Sequence, residues 1–331
     1  MGRPPCTDTA PGMGRDGRMT QVGDVRAGDA LVDDKAAMPA PRRIGGHTAL
    51  AGVIGWPVEH SRSPLMHNFW LAQYGIDGAY VPLPVRPGAF DVAVHGLRAA
   101  GFRGANVTIP HKEAAFRIVD RLDRSARRSG SVNTLVFAPD GAIEGFSTDG
   151  DGFVANVEAH GTVVKGGRAL LLGAGGAARA IAASLLDRGV ALTIANRTPA
   201  RAHELADAMR ADADAGTMVE VAPWDALDAV LPGCDMLVNT TSLGMDGGPG
   251  GDLPVDLAHA APTLVVCDIV YVPRRTALLR DAAARGLRGV DGLGMLIHQA
   301  RLGFRKWFGT DPVIGPEVEA LLDSDLRGEG R

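Results

Sequence analysis

Nine consecutive residues, Leu170-Leu-Leu-Gly-Ala-Gly-Gly-Ala-Ala178, limit the folds open to this chain more than any other stretch. The leucines read as a buried strand, the glycines as a tight turn and the alanines as the start of a helix. Strand, glycine turn and helix in that order open a βαβ unit, so the chain must build a layered α/β structure on a parallel sheet. Gly173, Gly175 and Ala178 fall on the pattern G-x-G-x-x-A. There the first Gly permits the turn, the second lets a pyrophosphate approach the backbone, and the small third residue lets helix and strand pack closely. Gly176 adds room, and Ala174 and Ala177 keep the turn free of any side chain larger than a methyl group. A dinucleotide phosphate at the helix N-terminus fits such a turn.

The next strand, Ala191 to Ala195, ends in Asn196-Arg197-Thr198, where an NAD site would want an acidic residue. Arg197, with Arg201 one helical turn later, offers paired charge-assisted hydrogen bonds to a 2′-phosphate instead, which points to NADP. The apolar alternation extends to both sides. Strands are predicted at 50–54, 79–85, 104–109, 132–137, 169–172, 191–195, 236–239, 264–268 and 288–290, with helical character at 64–74, 89–100, 111–128, 151–160, 176–188, 199–210, 294–308 and 316–322. With 331 residues the chain has length for two domains. The expected architecture is an α/β substrate-binding domain with a mainly parallel sheet over 46–149 and a Rossmann-type NADP-binding domain over 150–289. Helices over 290–325 are expected to return to the first domain. Residues 1–45, rich in Gly, Pro, Arg and Asp without apolar period, read as a disordered tail, and Met19 or Met38 could equally start the protein. The Gly-rich stretch Gly244 to Gly251 reads as a mobile loop.

A formal charge of −4 leaves no basic field to attract nucleic acid or anionic lipid. No apolar run approaches the length of a membrane span, and no secretory signal opens the chain. Cys6, Cys234 and Cys267 are scattered and odd in number, which suits a reducing compartment, so the expected location is cytoplasmic. The nine histidines show no metal-ligand spacing, and no metal is expected.

Five polar blocks carry the chemistry: His60-Ser61-Arg62-Ser63-Pro64, Asn106-Val-Thr108-Ile-Pro110-His111-Lys112-Glu113, Val132-Asn133-Thr134, Ser147-Thr148-Asp149-Gly150 and Asp291-Gly292-Leu293-Gly294 through Gln299. Ser61 and Ser63 could donate to a carboxylate or merely cap the helix at Pro64. Asn106, Thr108 and Asn133 could line the hydroxyls of a sugar-like ring or cap turns. Lys112 is one of only four lysines (Lys35, Lys112, Lys165, Lys306) in a chain whose default cation is arginine. A retained lysine suits a role that needs a compact ammonium able to release a proton. His111 reads as packing rather than as an acid.

These blocks, in this order around a G-A-G-G-A-x-R-A turn and an N-R-T strand end, resemble the shikimate dehydrogenase family from about residue 50 to 322. The resemblance implies reversible hydride transfer between NADPH and the ketone of 3-dehydroshikimate. It implies Lys112 and Asp149 as the catalytic pair. Ser61, Ser63, Asn106, Thr108, Asn133, Tyr271 and Gln299 would then bind substrate, and Gly173 to Ala177, Asn196 to Thr198, Arg201 and Gly292 the cofactor. A small-molecule substrate and a monomer or homodimer follow from the same likeness. Ser147 replaces the family's usual Asn before Thr-Asp-Gly, which would shorten one polar arm near the substrate and keeps quinate and aminoshikimate open. Ala277 replaces a usual Pro and should be tolerated. A non-catalytic binder would be marked by loss of Lys112 or Asp149, and an NAD-linked quinate enzyme by an acid near Arg197; neither mark is present.

Overall fold

Strand β1 (Ala49–Gly55) is buried along most of its length, as a strand covered by helices on both faces must be. In the computed structural model, which describes residues 44–211, 218–248, 250, 251 and 253–328, it pairs in parallel with β2 (Gly78–Pro84) on one side and β3 (Gly104–Val107) on the other. Helices α1 (Ser63–Gln73) and α2 (Phe90–Ala99) make the crossovers. The expected tail lies outside the described residues except for Ile44 and Gly45.

The predicted helix over 111–128 is instead three elements: α3 (Lys112–Ile118), the two-residue strand β4 (Arg121–Leu122) and α4 (Arg124–Ser129). Two aspartates divert the backbone from continuous helix. Asp120 accepts from the Ile143 amide at 2.7 Å, and Asp123 caps α4 by accepting from the Ala126 amide at 2.9 Å. β5 (Thr134–Phe137) then turns at Asp140-Gly141 into β6 (Ile143–Phe146), a strand not expected from the sequence. Its signal was the Pro139-Asp140-Gly141 turn between two apolar runs. The six-stranded sheet runs β2-β1-β3-β5-β6-β4, with β5 antiparallel to both neighbours and the other pairings parallel.

Helix α5 (Asp149–Ala159) leaves this sheet and buries Phe153, Val154 and Val157 in the core of the next. That second sheet is built from β7 (Arg168–Leu172), α6 (Gly176–Leu186), β8 (Ala191–Ala195), α7 (Pro199–Ala211), β9 (Val219–Val221), α8 (Leu227–Val230), β10 (Met236–Asn239), β11 (Val265–Asp268), α9 (Ala277–Ala284) and β12 (Arg288–Val290). Its order, β12-β11-β10-β7-β8-β9, is parallel throughout. This is the dinucleotide-binding order, in which the direction of winding reverses beside β7 and opens a crevice at the strand ends. Leu170 and Leu172 enter one core layer and Ala169 and Leu171 the other, which accounts for the uninterrupted apolar run.

The chain then returns. α10 (Gly292–Phe308) buries Leu293, Ile297, Ala300, Phe304 and Trp307 against Val53, Met66 and Trp70 of the first sheet's layer, and the Trp307 indole donates to the Leu135 carbonyl at 2.8 Å. α11 (Pro316–Leu326) adds Val318 and Leu322 to the same cluster. Among the described residues no helix is long and apolar enough to cross a membrane.

Candidate active site

Lys112 and Asp149 come from different elements and meet as an ion pair between Nζ and Oδ2. Lys112 begins α3, the wrong end of a helix dipole for a cation, and Asp149 begins α5, the favourable end for an anion. A lysine held against its helix dipole needs a partner, and the carboxylate supplies one. The other Asp149 oxygen accepts from Asn133 Nδ2 at 2.8 Å. Asn133 is fixed in turn, because its Oδ1 accepts from the Thr148 amide at 2.8 Å and from the Thr134 hydroxyl at 3.1 Å. The Thr148 hydroxyl reaches Gln299 Oε1 on α10 at 3.4 Å. The pair therefore stands on a fully hydrogen-bonded strand end, with the Lys112 side chain still 21% exposed.

All nine residues expected at the chemical centre and substrate wall line one cleft of about 540 Å³: Lys112 and Asp149 with Ser61, Ser63, Asn106, Thr108, Asn133, Tyr271 and Gln299. Asn106 is the most constrained of them. Its Oδ1 accepts from the Tyr80 hydroxyl at 2.6 Å, and its Nδ2 donates to the Asn133 carbonyl at 3.2 Å and the Thr134 hydroxyl at 3.1 Å. Both amide hydrogens are thus committed inside the protein, so toward a ligand Asn106 can only accept. Behind it, His67 stacks on Tyr80 with ring centroids 4.0 Å apart. Neither His67 nitrogen has a partner with hydrogen-bond geometry among the described residues, although the Asn106 side chain is close enough to favour its charge slightly. Burial dominates and pushes His67 down to about 3, so it is a neutral member of the aromatic layer.

The glycine turn stands at the C-terminal ends of β7 and β8, where the Gly173 amide donates to the Ala195 carbonyl at 2.8 Å. Gly173 has φ +110°, and a Cβ there would press on Thr240 Oγ1 at 2.5 Å. Only Gly fits. Among the described residues a Cβ on Gly175 would meet nothing within 4 Å, and no side chain caps the first turn of α6. Free amides and open space at an eleven-residue helix start are what a dinucleotide phosphate requires. Ala174 is buried and Ala177 half-buried beside it. A Cβ on Gly176 would come within 3.8 Å of Lys112 Cδ, so the turn faces the catalytic candidate directly. Asn196, Arg197 and Thr198 follow β8, with Asn196 Nδ2 donating to the Thr198 carbonyl at 2.9 Å. Arg197 and Arg201 are exposed, and no ion pair among the described residues engages either. Gly292 lines the cleft, and any side chain there would collide with the Ile269 backbone.

Ser147 does not stand near the substrate wall. It is 4% exposed and lines a separate cavity of about 200 Å³ with Ser125, Asp151 and Ser184, and its hydroxyl has no hydrogen-bond partner among the described residues. β6 ends at Phe146 and Asp149 already begins α5, so the backbone turns from strand into helix between residues 147 and 149 and the two side chains enter different cavities. The expectation of a shortened arm at the substrate is therefore corrected. His111 packs on Phe90 and contacts the Val85 carbonyl at 2.7 Å, a structural setting. Ala277 is the first residue of α9 after the Thr276 cap, a position where Pro and Ala are both accommodated. The loop after β10 forms turns, and its Asp246 amide donates to the Val272 carbonyl at 2.8 Å. Trp56, Ile109, Met245, Ile269, Met295 and Leu296 also line the cleft, and their apolar side chains carry no sequence signal that separates them from core. Among the described residues no group of three or more His, Cys, Asp or Glu side chains is placed to hold a metal ion.

Three family models match: the shikimate dehydrogenase substrate binding domain over residues 53–135, shikimate/quinate 5-dehydrogenase over 156–244, and the shikimate 5′-dehydrogenase C-terminal domain over 292–313. The chain is 56% identical over 284 residues to the shikimate dehydrogenase (NADP+) of Gluconobacter oxydans, covering 86% of this chain and 99% of that one. It is similar to a crystal structure of a shikimate dehydrogenase in complex with NADP+, with a TM-score of 0.80 at 35% identity over 87% of this chain and 99% of the other. The shikimate 5-dehydrogenase of Thermus thermophilus, solved with NADP(H) and shikimate, aligns with a TM-score of 0.74 at 35% identity, over 84% and 100% of the two chains.

Proposed function

The chain belongs to the shikimate dehydrogenase family, and from that premise we propose that its cleft carries out the reversible NADPH-dependent reduction of 3-dehydroshikimate to shikimate, a step toward chorismate and the aromatic amino acids. The observation that carries this reading is the meeting of the Lys112–Asp149 pair with the glycine turn across one cleft. A ketone reduction needs a proton donor beside the carbonyl and a reductant on the facing side.

Gly173 to Ala177 would hold the pyrophosphate of NADPH and Arg197, Thr198 and Arg201 its 2′-phosphate, and the bound cofactor would supply the hydride. The protein's own work is placement and proton delivery. Ser61 and Ser63 receive the substrate carboxylate through neutral donors. Asn106 accepts from a ring hydroxyl, Thr108 and Asn133 contact others, and Tyr271 and Gln299 close the wall. The Lys112 ammonium gives its proton to the oxygen as negative charge develops there, and Asp149 holds Lys112 in line while accepting from a substrate hydroxyl. Water reaches Lys112 and restores the proton. Ser147 lies off this wall, so its departure from the family's usual Asn gives no ground to prefer quinate or aminoshikimate. The same reading assigns substrate to 46–149 and 290–325 and cofactor to 150–289, in a cytoplasmic monomer or homodimer.

Replacing Lys112 with Ala should lower kcat by about 10²–10⁴-fold with little change in KM, because the ammonium acts in the transition state more than in the ground state. A folded variant with near-wild-type kcat contradicts the assignment.

A further inference from the structure

Arg62, between Ser61 and Ser63, and Arg274, three residues past Tyr271, stand on the two loops that flank the proposed substrate wall. Both turn to the last helix. Arg62 Nε lies 3.2 Å from Asp325 Oδ2, an ion-pair distance without hydrogen-bond alignment, while its Nη1 donates to the His60 carbonyl at 2.8 Å. Arg274 Nη1 donates to both Asp323 oxygens at 2.9 and 2.8 Å. Its Nε and Nη2 donate to Asp291 Oδ2 at 2.9 and 2.6 Å, and Asp291 caps α10 immediately before Gly292. Side-chain exposures of 17% and 25% for the first pair, and 33% and 27% for the second, make these partly buried pairs, which solvent screens less than fully exposed ones. Asp323 and Asp325 do not line the cleft themselves.

α11 can bear such a load because Val318 and Leu322 root it in the cluster that holds Met66 and Trp70 of α1. It is therefore a fixed point that extends one carboxylate to each loop. Serine hydroxyls are short, so their reach toward a ligand is set by the backbone that carries them, and a displacement of about 1 Å is enough to lose contact.

We propose that α11 is a brace for substrate recognition: Asp325 through Arg62, and Asp323 through Arg274, hold the Ser61–Ser63 loop and the Tyr271 loop at the separation the substrate requires. Both aspartates are positioning residues. The inference rests on the proposed reading that substrate lies between those loops.

The test uses the full chain with Asp323→Asn, Asp325→Asn and the double variant. Amide hydrogen exchange without ligand reads the loops directly. Asp325→Asn should speed exchange over 59–63, and Asp323→Asn over 270–276, by about fivefold or more while the sheets exchange as before. The double variant should raise the KM for shikimate about tenfold, with kcat and the KM for NADP+ within about twofold. Asp323→Glu and Asp325→Glu, which keep the charges, should regain most of the affinity and guard against a variant that fails to fold. Loops exchanging at wild-type rates, or equal losses in both KM values and kcat, overturn the brace. Loosened loops in a protein whose wild type does not turn over shikimate leave the brace standing and overturn the substrate reading.

Discussion

A neutral histidine beneath the substrate wall ties the stability of this fold to pH. His67 in the folded chain is held down at about 3 by burial, whereas an exposed histidine titrates near 6.5. Between those values the unfolded chain binds a proton that the folded chain refuses, so the contribution is complete above pH 6.5 and is lost as pH falls toward 3. The loss is about 2 kcal/mol between pH 7 and 5. His298, pushed down to about 4 by burial and then by Arg301 and His160, acts in the same direction. Asp268 opposes them, because burial raises its carboxyl and the folded state takes up that proton first. Tm should therefore fall from pH 7 to pH 5, and His67→Phe, which keeps a ring against Tyr80, should fall less steeply. Equal slopes for the two proteins in a thermal melt series would exclude His67 as the source. Tyr80 serves the same layer differently, since its hydroxyl fixes which end of the Asn106 amide faces the cleft.

Between elements, close approach is set by missing side chains. A Cβ on Gly150 would collide with the Ala180 carbonyl and Ser184 Oγ, so α5 and α6 cross at glycine contact. Overpacking at such a crossing costs about 1–3 kcal/mol, and Gly150→Ala should lower Tm by several degrees. Gly96→Ala in α2, where a Cβ meets nothing within 4 Å, should leave Tm unchanged or raise it. A melt in which both substitutions behave alike would show that the crossing is not tight. Elements such as β7 and α6 were legible because a leucine run, two glycines and an alanine face each report locally on burial and turn geometry. The break between α3 and α4 was only half legible, because the Asp123 cap on Ala126 is local whereas Asp120 acts through Ile143, which is distant in sequence. For the same reason the site's polar members were readable from their blocks, but the supports were hidden. Tyr80 under Asn106, and Asp325 beside Arg62, join residues that carry no shared sequence signal. The face occupied by Ser147 depended on where the strand ends and α5 begins, a boundary that sequence pattern places only loosely.

At the scale of the whole molecule, the first sheet, α10 and the loops after β10 and β11 line the cleft of Lys112 and Asp149, while the second sheet presents the glycine turn of α6. Hydride transfer needs its two ligands within about 3–3.5 Å, and the approach of Gly176 to Lys112 brings the glycine turn and the cleft to a common edge, as the proposed reaction requires. The proposed reaction joins shikimate chemistry to NADP at this edge. It is tested most directly by kcat/KM measured spectrophotometrically for shikimate and quinate with NADP+ and NAD+, on the wild type and on Arg197→Asp. Two guanidiniums free to meet a 2′-phosphate should give the wild type about 10²-fold or more preference for NADP+, with shikimate well ahead of quinate. Arg197→Asp should then lose NADP+ efficiency sharply, keep or gain NAD+ efficiency, and leave the KM for shikimate unmoved. A wild type that uses both cofactors equally, prefers quinate, or keeps its cofactor preference in Arg197→Asp would contradict the account.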